Sequence, residues 1–592
     1  MLKEYQITNF KAFAGPANIP IKPITLIFGP NSSGKSAILQ SMLMLKQTIE
    51  ESRDPGIALL PKGNMVDLGS FREFIYRHDV DRSFSLKMNF STPLAISNLG
   101  YRSDEMFFPN NDTSTLEESI DSDTIGVGVT FSLDKKTFNI LVSKINLYIG
   151  DDPKPIVTYE GRTGSHYYFE GNFNHKYWAT YWKHFDKENT EGLEELLNKH
   201  IERAQPYNIT DTVSEILNRC SFKKKVAFLI EERKSNIGLL SKAMRQDPAS
   251  EKAVQKLIGK INKCAEKDVS LEKKEHNKAL QLEKMIQDTT VTDKMTDFEW
   301  AIEAYKCLFE EDSLDIIKGF LPGVFNRLDP KLIMEHDTYD KERRHVSLFA
   351  LAAADLIENF LRDIRYIAPV REYPERIYIY GGNPLQFVGA SGKMVFDVLF
   401  NNPELINSVN KEFERIGVNY ELKLSPLSKE GTEINEAFSP HLFDKSTGVP
   451  VSFRDVGFGF SQVLPIIVQS MLSKNTTLLI EQPELHLHPA LQAELGDLFI
   501  KSALGENKNT LIIETHSEHL ILRIMRRMRE TAEGNLKEGP PVSPKDVCIL
   551  YIDKPKDKKS SVVYEMRLDR DGTLLDPWPG GFFEEGFKER FL

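Results

Sequence analysis

The chain has 592 residues, of which 41% are hydrophobic and 27% charged, so we expect a globular protein of about two or three structural units. Its formal net charge of -11 argues against a protein that coats nucleic acid over its whole surface, although a local basic patch is compatible with it. No apolar stretch approaches the roughly 20 residues that span a bilayer, the N-terminus lacks a signal-peptide layout and the cysteines are scattered. We therefore expect a cytoplasmic protein with reduced thiols and no membrane partner.

The first informative elements are a strand, a glycine-rich loop and a helix. Residues 24–28 form a short apolar run that predicts a buried strand. Residues 29–36 read Gly-Pro-Asn-Ser-Ser-Gly-Lys-Ser, which fits the phosphate-binding loop pattern G-x-x-x-x-G-K-S. Apolar residues then recur at helical spacing, which predicts an amphipathic helix with one apolar face, formed by Ile38, Met42, Leu45 and Ile49.

A loop between a strand and a helix is the setting in which this pattern binds nucleotide phosphates. Gly29 and Gly34 let backbone N–H groups point at phosphate oxygens, and the helix N-terminus adds a favourable dipole. We expect Lys35 to contact the β- and γ-phosphates of ATP, and the Ser36 hydroxyl to bind Mg²⁺. The predicted phosphate-binding set is completed by Asn31, Ser32, Ser33 and Gly34.

The rest of the chain divides into three regions by composition. Residues 1–185 predict the N-terminal part of a nucleotide-binding head, with strands at 84–90, 125–133 and 138–147 and a polar loop at 103–123. Residues 186–345 are rich in charge and in helix formers, and we expect an inserted helical unit there. Its lysine run at 223–225 indicates a solvated surface, with a nucleic-acid contact as the alternative. Residues 346–592 alternate strand and helix patterns, as the C-terminal part of an α/β head requires.

The second segment with recognisable chemistry covers residues 477–484. Its apolar residues predict a strand buried on both faces, which would deliver Glu481 to the sheet edge where ligands bind. We expect Glu481 to be a direct or indirect Mg²⁺ ligand. Gln482 stands where an acid would be the general base, and an amide orients a water without accepting its proton. Glu484 is the nearest alternative base.

Histidines follow both predicted C-terminal strands. His486 and His488 indicate a turn beside the nucleotide, with a metal site as the alternative. Residues 510–513 predict another buried strand, and residues 515–518 fit the helix-starting pattern T-x-x-E. His516 would then lie in a turn at the same sheet edge, where we expect it to sense the γ-phosphate; a packed structural histidine is the alternative.

A second glycine-rich segment, residues 456–462, precedes a predicted helix at 463–472. Ser461 is predicted to cap this helix, and Gly459 permits close approach of a ligand. The segment is thus a second anion-binding helix terminus. Because the chain already has a phosphate loop, this terminus indicates a nucleotide site shared between two copies, with Gly459 and Ser461 in the binding set.

The order of these segments resembles the ATPase head of the ABC type, in its RecF/SMC/OLD-like branch. Within that branch the chain is similar to prokaryotic AAA family ATPases of antiphage defence operons, such as Septu-, Menshen- and PARIS-like ATPase subunits. The resemblance covers about 1–100 and 346–592 and does not extend to the middle of the chain. The matching stretches are 9–13, 66–71, 367–371, 457–465, 481–489, 514–520 and 578–585.

This resemblance implies an α/β P-loop NTPase fold with ATP and Mg²⁺ bound between the heads of a homodimer or a higher even oligomer. Ser461 of one copy would face the γ-phosphate held by Lys35 of the other. The signature is not of the LSGGQ type, and Gln482 at the usual catalytic-acid position predicts slow hydrolysis. OLD-like relatives carry a C-terminal nuclease domain, for which residues 517–592 are too few. We therefore expect a separate effector protein, a nuclease or a toxin.

Three functions stay open at this point. The complete set of motifs favours an ATPase that dimerises on ATP and regulates an effector, in antiviral defence. Gln482 favours an ATP-gated scaffold in which hydrolysis is negligible. A DNA-repair or SMC-like head would bind nucleic acid directly, through a basic stripe and with strong salt dependence.

Overall fold

The computed structural model describes residues 1–91, 124–171, 314–325, 341–427 and 436–579, apart from 53, 55, 56, 151, 162–166, 319, 383 and 458. The predicted loop at 103–123 lies outside the described residues. So do the lysine run at 223–225, most of the predicted helical unit and the end of the chain beyond residue 579.

One sheet joins the two ends of the chain. Its six strands are, in spatial order, β11 (Arg365–Ile367), β16 (Thr477–Glu481), β17 (Thr510–Glu514), β3 (Ile24–Phe28), β18 (Val547–Asp553) and β19 (Val562–Met566). All neighbours in this order are parallel except β18 and β19. The N-terminal strand β3 lies between β17 and β18 of the C-terminal part. Neither end of the chain therefore completes this sheet alone.

Alternating residues of these strands face two different cores, as parallel strands buried on both faces require. One core contains the helix after β3, α1 (Lys35–Glu51), together with α3 (Lys341–Asp363). The other core contains α4 (Val395–Asn401), α5 (Pro403–Arg415), α6 (Gly459–Leu472), α7 (Pro489–Leu504) and α8 (Glu518–Ala532). The predicted stripe of α1 is buried, and so is most of the rest of this helix, because α1 packs between the sheet and α3.

A second sheet of seven antiparallel strands covers the α1 side. Its order is β2 (Ala17–Pro20), β1 (Leu2–Thr8), β4 (Phe84–Ser91), β5 (Thr124–Leu133), β6 (Ile140–Ile149), β7 (Val157–Gly161) and β8 (Tyr167–Gly171). The three strands predicted in this region are confirmed. Strand β6 begins two residues later than predicted, because Phe138 is exposed in a turn with φ 59°. A short helix, α2 (Phe71–Phe74), and a turn of 3₁₀ helix (Tyr76–His78) precede β4.

Two smaller groups of strands complete the described structure. A hairpin is formed by β9 (Leu314–Lys318) and β10 (Leu321–Phe325), which differs from the helical prediction over those residues. Its buried residue Phe320 packs against Phe131 of β5, so the hairpin is held by the core of the antiparallel sheet. The remaining strands form a small antiparallel sheet, β12 (Tyr378–Ile379), β13 (Tyr420–Pro426), β14 (Ala437–Asp444) and β15 (Pro450–Val451). Among the described helices, none is long and apolar enough to cross a membrane.

Candidate functional site

A cavity of about 450 Å³ lies at the carboxyl ends of β3, β17 and β16. This edge is where α/β sheets bind their ligands, and the volume falls within the range of about 300–1,000 Å³ usual for small-molecule sites. Both ends of the chain contribute to its wall. The lining residues are Lys11, Ala12, Asn31, Ser32, Gly34, Lys35, Ser36, Ala37, Gln40, Gln482, Glu514 and His516.

The two loop glycines have backbone conformations that other residues rarely adopt. Gly29 has φ 145° and Gly34, which immediately precedes α1, has φ 105°. A Cβ atom at Gly29 would lie 2.1 Å from the carbonyl oxygen of Ile552 on β18. The loop therefore curls tightly against the sheet because both positions are glycine.

Lys35 is folded back over the loop. Its ammonium donates hydrogen bonds to the carbonyl oxygens of Gly29 and Pro30, both at 2.9 Å. Burial lowers the pKa of Lys35, and the nearby carboxyl groups of Glu514 and Glu484 oppose that shift. A phosphate in the cavity would supply further negative charge to this partly desolvated ammonium.

Ser36 contacts an acid that the site prediction omitted. Its hydroxyl donates a 3.0 Å hydrogen bond to Oε1 of Glu514, the last residue of β17, which is 3% exposed. The sequence holds a signal for this residue, because Glu514 ends its apolar strand as Glu481 ends the neighbouring one. Lys11 and Gln40 also line the cavity, and their side chains are hydrogen-bonded at 2.5 Å. The sequence holds no comparable signal for Lys11 and Gln40.

Glu481 ends β16 in register with Glu514, but its side chain does not line the cavity. The Tyr366 hydroxyl donates a 3.0 Å hydrogen bond to Oε1 of Glu481. Burial, and then the charge of Glu514, raise the pKa of Glu481 to about 7, against the opposing effects of Tyr366 and Arg371. The predicted metal ligand is therefore set back from the cavity and held by a tyrosine.

Gln482 does line the cavity, directly after β16. Its backbone has φ 44°, which turns the chain away from the strand direction, and its N–H donates to the Glu514 carbonyl at 2.7 Å. The sequence predicts that the Gln482 amide orients a water; an amide cannot accept the proton of that water.

Arg371 contacts this turn from outside the cavity, and the sequence did not predict it as a site residue. Its guanidinium is 1% exposed and donates to the Glu481 carbonyl at 2.8 Å. The main chain of Arg371 exchanges two hydrogen bonds with the side chain of Gln462 on α6, at 3.2 and 3.1 Å. Arg371 therefore connects the first turn of α6 to the turn that carries Gln482.

Glu484 is engaged by the turn after β17. Its Oε1 accepts from the backbone N–H of His516 and its Oε2 from the Thr515 hydroxyl, both at 2.7 Å. Glu484 is absent from the cavity lining, whereas His516 is part of it. Burial, and then the charge of Lys35, lower the pKa of His516, which favours the neutral imidazole at this edge.

Two predicted helix caps are wrong. Helix α6 begins at Gly459, so Ser461 lies inside its first turn; Ser461 is buried and lines a separate cavity of about 420 Å³. Helix α8 begins at Glu518 and is capped by Ser517, whose Oγ accepts from the Leu520 N–H. Thr515 lies two residues before this cap; its hydroxyl donates to Glu484 and accepts a 3.0 Å hydrogen bond from the Ser517 N–H, which is outside the helix.

The chain turns before α7 at the paired histidines, as predicted. His488 is the N-cap of α7, where its Nδ1 accepts a 3.3 Å hydrogen bond from the Ala490 N–H. Neither His486 nor His488 lines the cavity. Within the described ranges, no three His, Cys, Asp or Glu side chains converge as a metal cage.

Comparison with known protein families identifies an ATPase domain in the part of the chain that contains the phosphate loop. The model of a family described as "AAA ATPase domain" matches residues 1–521, and that of a family described as "Protein of unknown function (DUF3696)" matches residues 542–590. No curated protein matches the chain.

Several solved structures of Smc heads also match, with low identity and low TM-scores. The head from Pyrococcus yayanosii is 12% identical, with a TM-score of 0.31, over 96% of this chain and 98% of that one. The head from Thermotoga maritima is 8% identical, with a TM-score of 0.31, over 96% of this chain and 99% of that one. The family match covers far more than half of the chain and includes the phosphate loop, both acidic strand ends and His516. The chain therefore belongs to the AAA ATPase domain family, as a P-loop ATPase with an α/β head.

Proposed function

We propose that this protein binds and hydrolyses ATP with Mg²⁺, that its heads dimerise on ATP, and that the dimer regulates a separate effector in prokaryotic antiviral defence. The ATP site is supported above all by the cavity that both ends of the chain build around Lys35 and Ser36. The effector, a nuclease or a toxin, and the antiviral context rest on the resemblance of the motifs.

In this proposal the phosphate loop holds ATP. Lys35 contacts the β- and γ-phosphates, which replace the carbonyl oxygens that it now contacts. The backbone of residues 31–34 surrounds the phosphates, and the hydroxyl of Ser36 holds Mg²⁺. The bound ion neutralises phosphate charge, with Glu481 predicted to act at or near it.

Gln482 orients the attacking water in this scheme and His516 senses the γ-phosphate, since both line the cavity. Glu484 accepts one hydrogen bond on each carboxylate oxygen and does not line the cavity, which disfavours it as the base. The geometry favours a positioning role, in which Glu484 holds the His516 turn.

Dimerisation is supported by the position of the glycine-rich segment, which lies outside the cavity of its own chain. Gly459 and Ser461 are both described and neither lines the cavity of its own chain. In this proposal the segment meets the nucleotide of a second copy through the exposed backbone at Gly457, whereas Ser461 is buried and has to become accessible when the heads associate.

Light scattering with and without ATP and Mg²⁺, with released phosphate assayed in the same samples, tests the proposal. We expect ATP to convert the protein to a dimer and phosphate to be released. Lys35→Ala should abolish phosphate release, whereas Lys474→Ala, at an exposed lysine outside the cavity, should not. A Lys35→Ala protein that hydrolyses ATP at the parent rate would overturn the proposal.

An ATP-gated scaffold is the second candidate. It is favoured by Gln482, which cannot accept a proton, and by the two hydrogen bonds that occupy Glu484. An ATP-stabilised assembly without phosphate release would support it. Turnover of several per second by the purified protein alone would argue against it, since ordinary enzymes work at about 1–1,000 per second.

A further inference from the structure

We propose that Glu514, together with Ser36, binds the Mg²⁺ of the nucleotide, and that Glu481 positions this site without binding the ion. The inference rests on the proposed ATP function for the presence of Mg²⁺. It concerns which of two neighbouring carboxylates performs a role that the sequence assigned to Glu481.

The position of the strands separates the two carboxylates. Glu514 and Glu481 are paired in register, so both strands end at the same edge of the sheet. Strand β17 is next to β3, which leads into the phosphate loop, whereas β16 is one strand further away. Neighbouring strands lie about 5 Å apart, so Glu481 starts that much further from the loop. Consistently, Glu514 lines the cavity and Glu481 does not.

The oxygen atoms of Ser36 and Glu514 have the spacing of two neighbouring metal ligands. Ser36 Oγ and Glu514 Oε1 are 3.0 Å apart. Mg²⁺ binds oxygens octahedrally at about 2.1 Å, which puts adjacent ligand atoms about 3 Å apart. The hydrogen bond between the two groups therefore holds them at the separation that the ion needs.

The second carboxylate oxygen of Glu514 can still bind a cation. This atom, Oε2, is buried and has no hydrogen-bond partner among the described residues. Leaving a buried carboxylate oxygen unpaired is unfavourable, and a cation at this end of the side chain would offset that cost. Mg²⁺ usually takes one or two protein ligands and completes its shell with water and phosphate, so the pair suffices without a cage of acids.

Glu481 has the contacts of a positioning residue. The Tyr366 hydroxyl donates a hydrogen bond to Oε1 of Glu481, and the Arg371 guanidinium donates one to the main-chain carbonyl of Glu481. These contacts fix the end of β16 and hence the turn at Gln482. The carboxylate that the sequence pattern favoured is therefore bonded to Tyr366 and absent from the cavity lining, whereas that of Glu514 is bonded to Ser36 within it.

The test measures metal affinity without catalysis, on the full chain. Mn²⁺ serves as the probe, with free Mn²⁺ followed by electron paramagnetic resonance in the presence of ADP. Binding of a fluorescent ATP analogue in EDTA is measured alongside, as a metal-free control of the nucleotide site. The variants are Glu514→Gln, Glu481→Gln and, as a matched control at an exposed acid, Glu506→Gln.

We expect Glu514→Gln to weaken Mn²⁺ binding at least tenfold while metal-free nucleotide binding stays within twofold of the parent. Glu481→Gln and Glu506→Gln should retain Mn²⁺ affinity within about threefold. Ser36→Ala combined with Glu514→Gln should weaken Mn²⁺ binding less than the two separate effects added, because both groups bind one ion.

Parent-like Mn²⁺ affinity in Glu514→Gln, with affinity lost in Glu481→Gln, would overturn the inference. Because the readout is independent of hydrolysis, the two proposals fail separately. Mn²⁺ binding that depends on Glu514 in a protein that releases no phosphate would support this inference and contradict the proposed ATPase activity. Glu514→Asp, which keeps the charge, is a second variant if Glu514→Gln folds poorly, and it should bind Mn²⁺ better than Glu514→Gln.

Discussion

Replacing Glu481 by Gln should stabilise the nucleotide-free protein at high pH and have little effect at low pH. Burial raises the pKa of this carboxyl from 4.5 to about 7 in the folded state. Above pH 7 the group is ionised in both the folded and the unfolded chain, so the folded state bears the full cost of a buried charge. Below about pH 4.5 it is protonated in both, and the cost disappears.

The size of the effect follows from that shift. Each pKa unit corresponds to about 1.4 kcal/mol, so an ionised Glu481 costs the folded state about 3 kcal/mol. Glutamine removes the charge and still accepts the hydrogen bond of the Tyr366 hydroxyl. We expect Glu481→Gln to raise the free energy of unfolding by about 3 kcal/mol at pH 8 and by less than about 1 kcal/mol at pH 5.

Urea denaturation of the parent and the variant from pH 5 to pH 8, in EDTA, measures this difference. Glu506→Gln, at an exposed acid in the turn after α7, is the control and should show a small difference that does not grow with pH. The reasoning is refuted if Glu481→Gln is destabilising at pH 8, or if its effect is the same at both ends of the range.

Three further predictions concern the turn and the loop. Gln482→Glu should speed phosphate release about 100-fold, since it adds a general base at the cavity wall, and an unchanged rate would contradict that placement. Gly29→Ala should abolish binding of a fluorescent ATP analogue and lower the melting temperature by several degrees, because the new Cβ would lie 2.1 Å from the Ile552 carbonyl. Arg371→Lys should lower kcat at least tenfold with KM within threefold of the parent, because Arg371 supports the turn from outside the cavity; a selective rise in KM would show that it contacts ATP.

Much of the head could be predicted because its signals are local. The strand before the phosphate loop and the two strands ending in Glu481 and Glu514 are short apolar runs next to turn residues, and the helix after the loop shows an apolar stripe at helical spacing. The strand patterns indicate burial on both faces without knowledge of partners, whereas the stripe of α1 indicated one buried face of a helix that is mostly buried. The cap at Ser461 was wrong because helix propensity alone does not reveal that α6 begins at Gly459.

The amino-acid sequence was sufficient to predict the nucleotide-binding motifs: the phosphate loop, the acidic strand ends and the histidine turn each follow from residue types at fixed spacing. Which acid faces the loop did not follow from it, because Glu481 and Glu514 end similar strands and differ only in the order of those strands in the sheet. Strand order depends on contacts between distant parts of the chain. The same holds for Arg371, a buried cation whose role exists only once α6 and β16 have packed on either side of it.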